Sequence, residues 1–591
     1  VADKFSNFSR FHAFRYRLGE HDAVLPLALL GAVSGILTGV VIALFRSCIE
    51  GSSLLFINHL SVTATAVTNP DQFEQLSAGS AFWLVLGGAV LLGIVFQLIP
   101  ANRRHTGLGH VVVALHKNNA KLRIRNALLQ FAGAVIALAS GQSGGREGPA
   151  IHLGTACNSY FAQRLHLPHN SLRVLAACGA AAAIGASFNT PVAGVIFAME
   201  VIVMEYTLVG FIPVILASIT ATSVSQLFFG DSHVFTVPPM ALESMWELPY
   251  LLLLGLACGL AALAFMRVQL LSQQLQRWPV ALRFTLAGLL TASIGMLLPG
   301  VLGTGYDTVN TTLNAEFGTQ LIIMLCLAKI LTAAVSSGVG MPIGIIGPSL
   351  FIGACVGGGI GNVSSVLQGE LHSGTGFYVL LGMGGVMGAL LNAPLAALIA
   401  ILELAHTPSA MLPGITVIVI ASLITNQIFG RVSAVENVLR NQGLSIATHP
   451  VAQALNRISL SAVVDTNIGY LNAEINRADL KQLVINDPRH IVIQDKTGGH
   501  VMVSRKSWRH AICDHFMVIP EFNNSAELLR HIDELALPVM QLTDIDIAAT
   551  VTEARDRLQK EPVDGLYITD KAGGLRGILR GDALNKLIEN W

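Results

Sequence analysis

The chain has 591 residues, 52% of them hydrophobic and 12% charged, with a formal net charge of zero. Its mean hydropathy of +0.61 excludes an ordinary soluble globule. The balanced charge gives no ground for a nucleic-acid or acidic partner.

Residues 1–22 carry Lys4, Arg10, Arg15 and Arg17 ahead of the first apolar run, so the positive-inside tendency places this segment in the cytoplasm. That run has no small-residue cleavage site near its end and reads as a retained span rather than a removed signal peptide. Apolar runs long enough to cross a hydrocarbon core of ~30 Å recur at 23–45, 81–99, 174–203, 207–229, 248–266, 283–302, 377–402 and 411–429. The stretches 140–161 and 336–361 are shorter or richer in glycine. They predict helices that stop partway across, which survive only where buried in protein or lining a cavity. Seven cysteines (Cys48, Cys157, Cys178, Cys258, Cys326, Cys355 and Cys513) show no paired spacing, mostly sit in apolar runs and read as buried thiols in a reducing setting. No zinc pattern is present. From about residue 445 onward the composition becomes that of a soluble protein, and this last quarter holds about half of the charged residues. In it HIVIQ, HVMVS and GLYITD predict strands, and 471–483, 524–535 and 549–560 predict helices, so 445–591 forms a separate small α+β or α/β domain.

The membrane region, 23–444, repeats itself. GREGPAIHLG at 145–154 and GIIGPSLFIG at 344–353 share the frame G-x-x-G-P-x-x-x-x-G. GASFNTPVAGVIFAMEV at 185–201 matches GALLNAPLAALIAILEL at 388–404 in register. Two halves, approximately 23–230 and 248–440, therefore derive from one duplicated unit, an arrangement that places a solute site where interrupted helices meet near the midplane. Proline at a helix start with glycines before it exposes unpaired N–H groups, and each such tip carries about half a positive charge. Two converging tips favour an anion, whose lost water the peptide N–H groups replace without a trapping full charge.

With these motifs the chain resembles the CLC family of chloride channels and chloride–proton antiporters, of the bacterial type with C-terminal CBS domains. GREGP at 145–149 matches a family signature at every position. The resemblance implies an all-α polytopic domain of two inverted repeats with broken helices plus a cytoplasmic α/β CBS pair. It also implies a homodimer with one pore per subunit in a bacterial inner membrane, with both termini cytoplasmic. Glu147 takes the role of gate, a carboxylate that occupies the anion site and swings out when protonated. A charge in a membrane core costs at least ~2.5–3.5 kcal/mol, so such an acid needs a use. The anion-binding set carried over is Arg146, Glu147, Gly148, Leu108, Gly109, Ile345, Ile346 and Val435.

Departures from the family pattern matter. GLGHV at 107–111 puts Leu108 where the family has a serine, GIIGP puts Ile346 at a phenylalanine place, and FGRVSAVENVL aligns Val435 with the pore tyrosine. Glu200 is followed by Val201, where antiporters often carry a second acid, and a side chain without a titratable proton cannot relay one. The reading therefore leans to passive, channel-like conduction of chloride or other small anions. The alternative is proton-coupled exchange, with Glu147 and Glu200 on the proton pathway and His110, His116, His152, Glu205 and Glu403 as substitutes. In the tail, GILRGDAL offers Asp582 for the ribose of an adenine nucleotide, against a purely dimerising role; no other cofactor and no metal is expected. Two readings from other classes compete: GQSG at 141–144 fits the G-x-S-G of rhomboid intramembrane proteases, with Ser143 needing a histidine partner, and NTP with NAP loosely resembles the paired boxes of water channels.

Overall fold

The computed structural model describes residues 24–61, 69–205, 208–231, 234–235, 237, 242–368, 373–405, 408–444, 455, 458–475, 477–495, 499–509, 524–570 and 573–589. The N-terminal segment 1–22 and Cys513 lie outside them. The chain divides into two compact units, one of residues 24–165 and 172–447, the other holding 166–171 and 448–591.

The first unit is helical. Its first half runs through α1 (Val24–Leu60), α2 (Ala78–Leu98), α3 (Gly107–Lys117), α4 (Ile124–Ala139), α5 (Glu147–Arg164), α6 (His169–Phe188), α7 (Pro191–Phe197) and α8 (Leu208–Phe229). The second repeats the order as α9 (Leu248–Gln273), α10 (Val280–Leu297), α11 (Tyr306–Leu313), α12 (Thr319–Gly338), α13 (Ile346–Gln368), α14 (Thr375–Leu391), α15 (Pro394–Ala405) and α16 (Met411–Leu423), before a final α17 (Ala434–Asn441). Among the described residues nine helices are long and apolar enough to cross a membrane. The duplication read from two motifs thus extends through the whole unit.

Local chemistry sets the breaks. The runs at 174–203 and 377–402 were expected as single spans, yet each is cut in two. Asn189 and Asn392 take positive φ values of 61° and 55°, a left-handed conformation that asparagine tolerates and that ends a helix. Pro191 and Pro394 then open the next helices, where the missing N–H costs nothing. In the other direction, α13 is one of the nine long apolar helices although 336–361 reads as a partial span. Helices α4 and α12 were not anticipated, because Gln130 and Lys329 interrupt their apolar runs; both side chains are buried and satisfied internally.

The second unit carries one six-stranded sheet in sequence order: β1 (Ile468–Leu471), β2 (His490–Gln494), β3 (His500–Ser504), β4 (Val539–Asp546), β5 (Gly565–Thr569) and β6 (Leu575–Arg580). β1 runs parallel to β2 and β4 to β5, while the remaining neighbours are antiparallel. Helix α18 (Arg477–Asn486) makes the first parallel crossover, α19 (Ser525–Glu534) precedes β4, α20 (Val551–Lys560) makes the second crossover, and α21 (Gly581–Glu589) follows β6. The tail is thus a doubled β-α-β-β motif. Alternation along β2 and β3 sends Ile491, Ile493, Val501 and Val503 against Leu480, Leu483 and Trp508, and the second half repeats this with Leu566, Ile568 and Leu579 against Val551 and Leu584. The predicted helix 471–483 begins later, at Arg477, because its first residue completes β1. β1, β4 and β6 were not foreseen: β1 is only four residues long with a glycine inside, β4 mixes acidic and polar residues with aliphatic ones, β6 carries two arginines, and their pairing comes from the sheet.

Candidate functional site

The two G-x-x-G turns meet. The Gly145 N–H donates to the Gly344 carbonyl at 2.9 Å, and the Gly344 N–H returns a bond to the Gly145 carbonyl at 2.7 Å. Only glycine permits this approach, since a Cβ on Gly344 would stand 2.7 Å from the Gly148 nitrogen and 2.9 Å from the Gly145 oxygen. One turn opens α5 at Glu147 and the other opens α13 at Ile346, so two helix tips with unpaired N–H groups lie side by side.

The Glu147 side chain sits between them, fully buried. Its Oε2 accepts from the Gly347 N–H at 3.2 Å, and its Oε1 accepts a short hydrogen bond from the Tyr306 hydroxyl. A carboxylate belonging to the first half is thus held by the helix tip of the second, in a place suited to a free anion. Arg146 departs from expectation. Its guanidinium donates to Glu50 at 3.0 Å and to the Ser187 carbonyl at 3.4 Å, so the side chain is spent on an ion pair with α1 and does not face the anion path. A buried guanidinium needs such a partner.

Below the turns lies a cavity of about 390 Å³, lined by Leu108, Gly109, Gly148, Ile345, Ile346 and Val435 among others. Six residues from α3, α5, α17 and the turn and first residue of α13 are therefore brought to one space. Gly148 lines it, while the carboxylate of the neighbouring Glu147 does not. Among the described residues the lining includes Arg104 and Arg283 and no aspartate or glutamate, an electrostatic field that concentrates anions. Leu108 and Val435 supply no hydroxyl, but Thr106, Ser337 and Gln269 bring polar groups that the sequence reading missed. Gln130 ties the mouth together: its amide donates to the Pro342 carbonyl at 2.9 Å and its oxygen accepts from the Gly107 N–H at 2.6 Å.

The sequence profile described as voltage gated chloride channel matches residues 87–426. This chain belongs to the voltage-gated chloride channel (CLC) family. It is 30% identical over 341 residues to a ClcB-like chloride channel protein of Ralstonia nicotianae, covering 55% of this chain and 78% of the relative. It is 29% identical over 295 residues to the H(+)/Cl(-) exchange transporter ClcA of Vibrio cholerae, covering 48% of this chain and 63% of that protein. The crystal structure of a eukaryotic CLC transporter superimposes with a TM-score of 0.59 at 16% identity, over 95% of this chain and 98% of the other. The protein is thus a multi-pass membrane protein of CLC-type anion transport.

The remaining candidates of this CLC chain sort by their partners. Glu200 accepts from the Leu395 and Ala396 N–H groups at 3.3 and 2.8 Å, and Glu403 accepts from Val192 and Ala193 at 2.9 and 2.7 Å. Each half thus caps the proline-opened helix of the other, and both oxygens of Glu200 are occupied by structure rather than aimed along a proton path. His116 bonds the Val112 carbonyl at 2.9 Å, and Glu205 pairs with Arg173 at 3.7 Å. His110 Nδ1 and His152 Nε2 are 2.9 Å apart, with His105 stacked on His110. Ser143 receives its hydrogen bond from Thr332 at 3.0 Å, not from the histidine a serine nucleophile requires.

In the tail, a second cavity of about 310 Å³ is lined by Asp465, His490, Arg580, Asp582 and Lys586 among others. Asp582 is gripped by the Arg580 guanidinium and by the Ala583 N–H, and the Arg580 bond foremost holds its carboxyl below the usual range. Tyr306, Glu50, Gln130 and Lys329 went unread in the sequence. Each acts through residues far away in the chain, and no local pattern marks it.

Proposed function

We propose that the chain conducts chloride-class anions passively through one pore per subunit of a homodimer, with Glu147 as the gate. The observation that carries this reading is the Glu147 carboxylate seated between two helix tips, next in sequence to Gly148, which lines a cavity holding Arg104 and Arg283. A tethered anion in an anion site blocks conduction while ionised and leaves when protonated, which ties flux to pH. Arg104 and Arg283 draw anions into the cavity; Gly148, Gly109 and the N–H groups of Ile345 and Ile346 receive them, with Leu108 and Val435 as apolar walls. Passive flow is favoured by Val201, which has no proton to give, and by the capping duty of Glu200.

Proton-coupled exchange is the second reading. Its specific support is the His110–His152 contact beside the cavity, together with exchangers among the relatives. Purified protein in liposomes under a chloride gradient separates the two. Passive conduction predicts chloride efflux shunted by valinomycin with no uphill proton movement; chloride-driven proton pumping contradicts it.

We read the doubled tail as a cytoplasmic CBS pair with a dimerising role. A nucleotide ribose at Asp582 would first have to displace Arg580. Calorimetric titration with ATP tests this: no binding heat is expected, and saturable binding lost in Asp582→Ala would restore the nucleotide assignment.

A further inference from the structure

The repeat relation gives the outer side of the gate a counterpart to the inner cavity. With Glu147 in register with Ile346, Gly107 corresponds to Tyr306 and Gln130 to Lys329. On the inner side a glycine opens α3 and leaves the cavity free. On the other side the tyrosine opening α11 fills the equivalent space, 5% exposed, with its hydroxyl on Glu147.

The strap that carries this tyrosine is pinned along its length. The buried Lys329 ammonium donates to the carbonyls of Val301, Gly303 and Thr304 at 3.0, 3.1 and 3.3 Å, and lies 4.8 Å from the Phe351 ring centroid. Thr304 donates to Asp71 at 2.7 Å. Gly303 exchanges backbone bonds with the gate's own loop, donating to the Gly141 carbonyl at 3.1 Å and accepting from the Gly144 N–H at 3.3 Å. Gly305, at φ 76°, makes the turn into α11, in a conformation closed to most side chains. The ring itself is fixed by Phe235 at 5.3 Å, Phe188 at 6.3 Å and the Arg146 guanidinium at 5.6 Å. So many constraints on one phenol imply that its direction matters.

We propose that Tyr306 is a latch on the gate: its hydroxyl, aimed by the Lys329-pinned strap, holds the Glu147 carboxylate in the anion site. This rests on the reading of Glu147 as the gate. The charged and titratable groups around the pair are Arg146 at the head of α5, Arg46 and Glu50 on α1, Asp71 on the segment before α2, Asp307 on α11 and Lys329 on α12; of these, Arg146 and Arg46 share Glu50, at 3.0 and 2.6 Å, and Asp307 is engaged by Asn69 at 2.7 Å. The phenol is thus the side-chain hydrogen-bond donor seated on the gate. A donor to a seated carboxylate favours its ionised, closed form, so losing that donor lets the gate open at lower proton concentration.

The test is chloride efflux from liposomes as a function of external pH for the wild type, Tyr306→Phe, Glu147→Gln and the double variant. Phenylalanine keeps every ring contact and removes only the hydroxyl. Tyr306→Phe is expected to raise efflux about three- to tenfold at neutral pH and to move the midpoint of acid activation upward by about one unit. The double variant is expected to match Glu147→Gln. An unchanged midpoint and rate in Tyr306→Phe, with pH dependence abolished in Glu147→Gln, would overturn the latch and leave the gate standing. A retained pH response in Glu147→Gln would overturn the gate and the latch with it.

Discussion

The turns at 145–148 and 344–347 share a backbone, a frame and a helix start, and they differ in the two middle positions, where the first carries Arg146 and Glu147 and the second Ile345 and Ile346. A different pair of equivalent positions, Glu200 and Glu403, has kept the same residue and makes the same bonds in mirrored form. The contrast separates two kinds of acid in one membrane protein. Where both halves need the group to hold a helix start, the halves agree. Where only one half carries the carboxylate proposed as the gate, they diverge. Gln130 and Lys329 show the intermediate case, with a shared pinning task met by different chemistry in the two halves.

The comparison breaks most sharply at the glycines. Gly344→Ala should abolish chloride efflux and lower stability by about 1–3 kcal/mol, because its Cβ meets backbone rather than a movable side chain. Efflux together with thermal unfolding in detergent checks this, and an alanine variant with normal flux would show the turns need not touch. A smaller effect tests the symmetric pair. Glu200→Gln and Glu403→Gln should each cost about 1 kcal/mol of thermal stability, by similar amounts, while leaving the pH profile of efflux in place. A selective loss of proton-linked transport in Glu200→Gln alone would move that residue from capping to proton transfer.

The smallest effect lies in the tail. His500 stacks on Tyr567 at 4.1 Å and on Tyr470 at 6.2 Å, and burial pushes its imidazole below the ordinary value of about 6.5. A histidine held neutral stabilises the fold fully above that value and loses its contribution as pH falls through the folded value. The tail should therefore soften on acidification below about pH 6.5, and His500→Phe should blunt the loss. Thermal unfolding of the full chain followed by tail-specific proteolysis at pH 7.5 and 5.5 reads it; equal acid sensitivity in the variant would assign the softening elsewhere.

How far the sequence carried this account depends on the chemistry of each residue. Glu147, the paired G-x-x-G-P frames and the Glu200–Glu403 equivalence were legible, because a carboxylate or a proline-glycine turn in an apolar run has few uses. The cavity residues Leu108, Gly109, Gly148, Ile345, Ile346 and Val435 followed from resemblance, and the fold brings all of them to one space. The ion pair of the Arg146 side chain was not legible because its partner, Glu50, is 96 residues away. Tyr306 and Lys329 were invisible for the same reason: an aromatic or a lysine in a helix says nothing about which distant carbonyl or carboxylate it will reach. The breaks at Asn189 and Asn392 were missed because hydropathy continues through them while the backbone does not.

The central claim is that Glu147 stands in the place of the permeating ion. Anomalous diffraction from bromide-soaked crystals of the wild type and of Glu147→Gln at neutral pH tests it most directly. The account predicts a bromide peak within hydrogen-bond reach, about 3.2–3.5 Å, of the Gly347 nitrogen in the variant and none there in the wild type. A variant with the glutamine displaced and no halide between the 145 and 344 turns would contradict it.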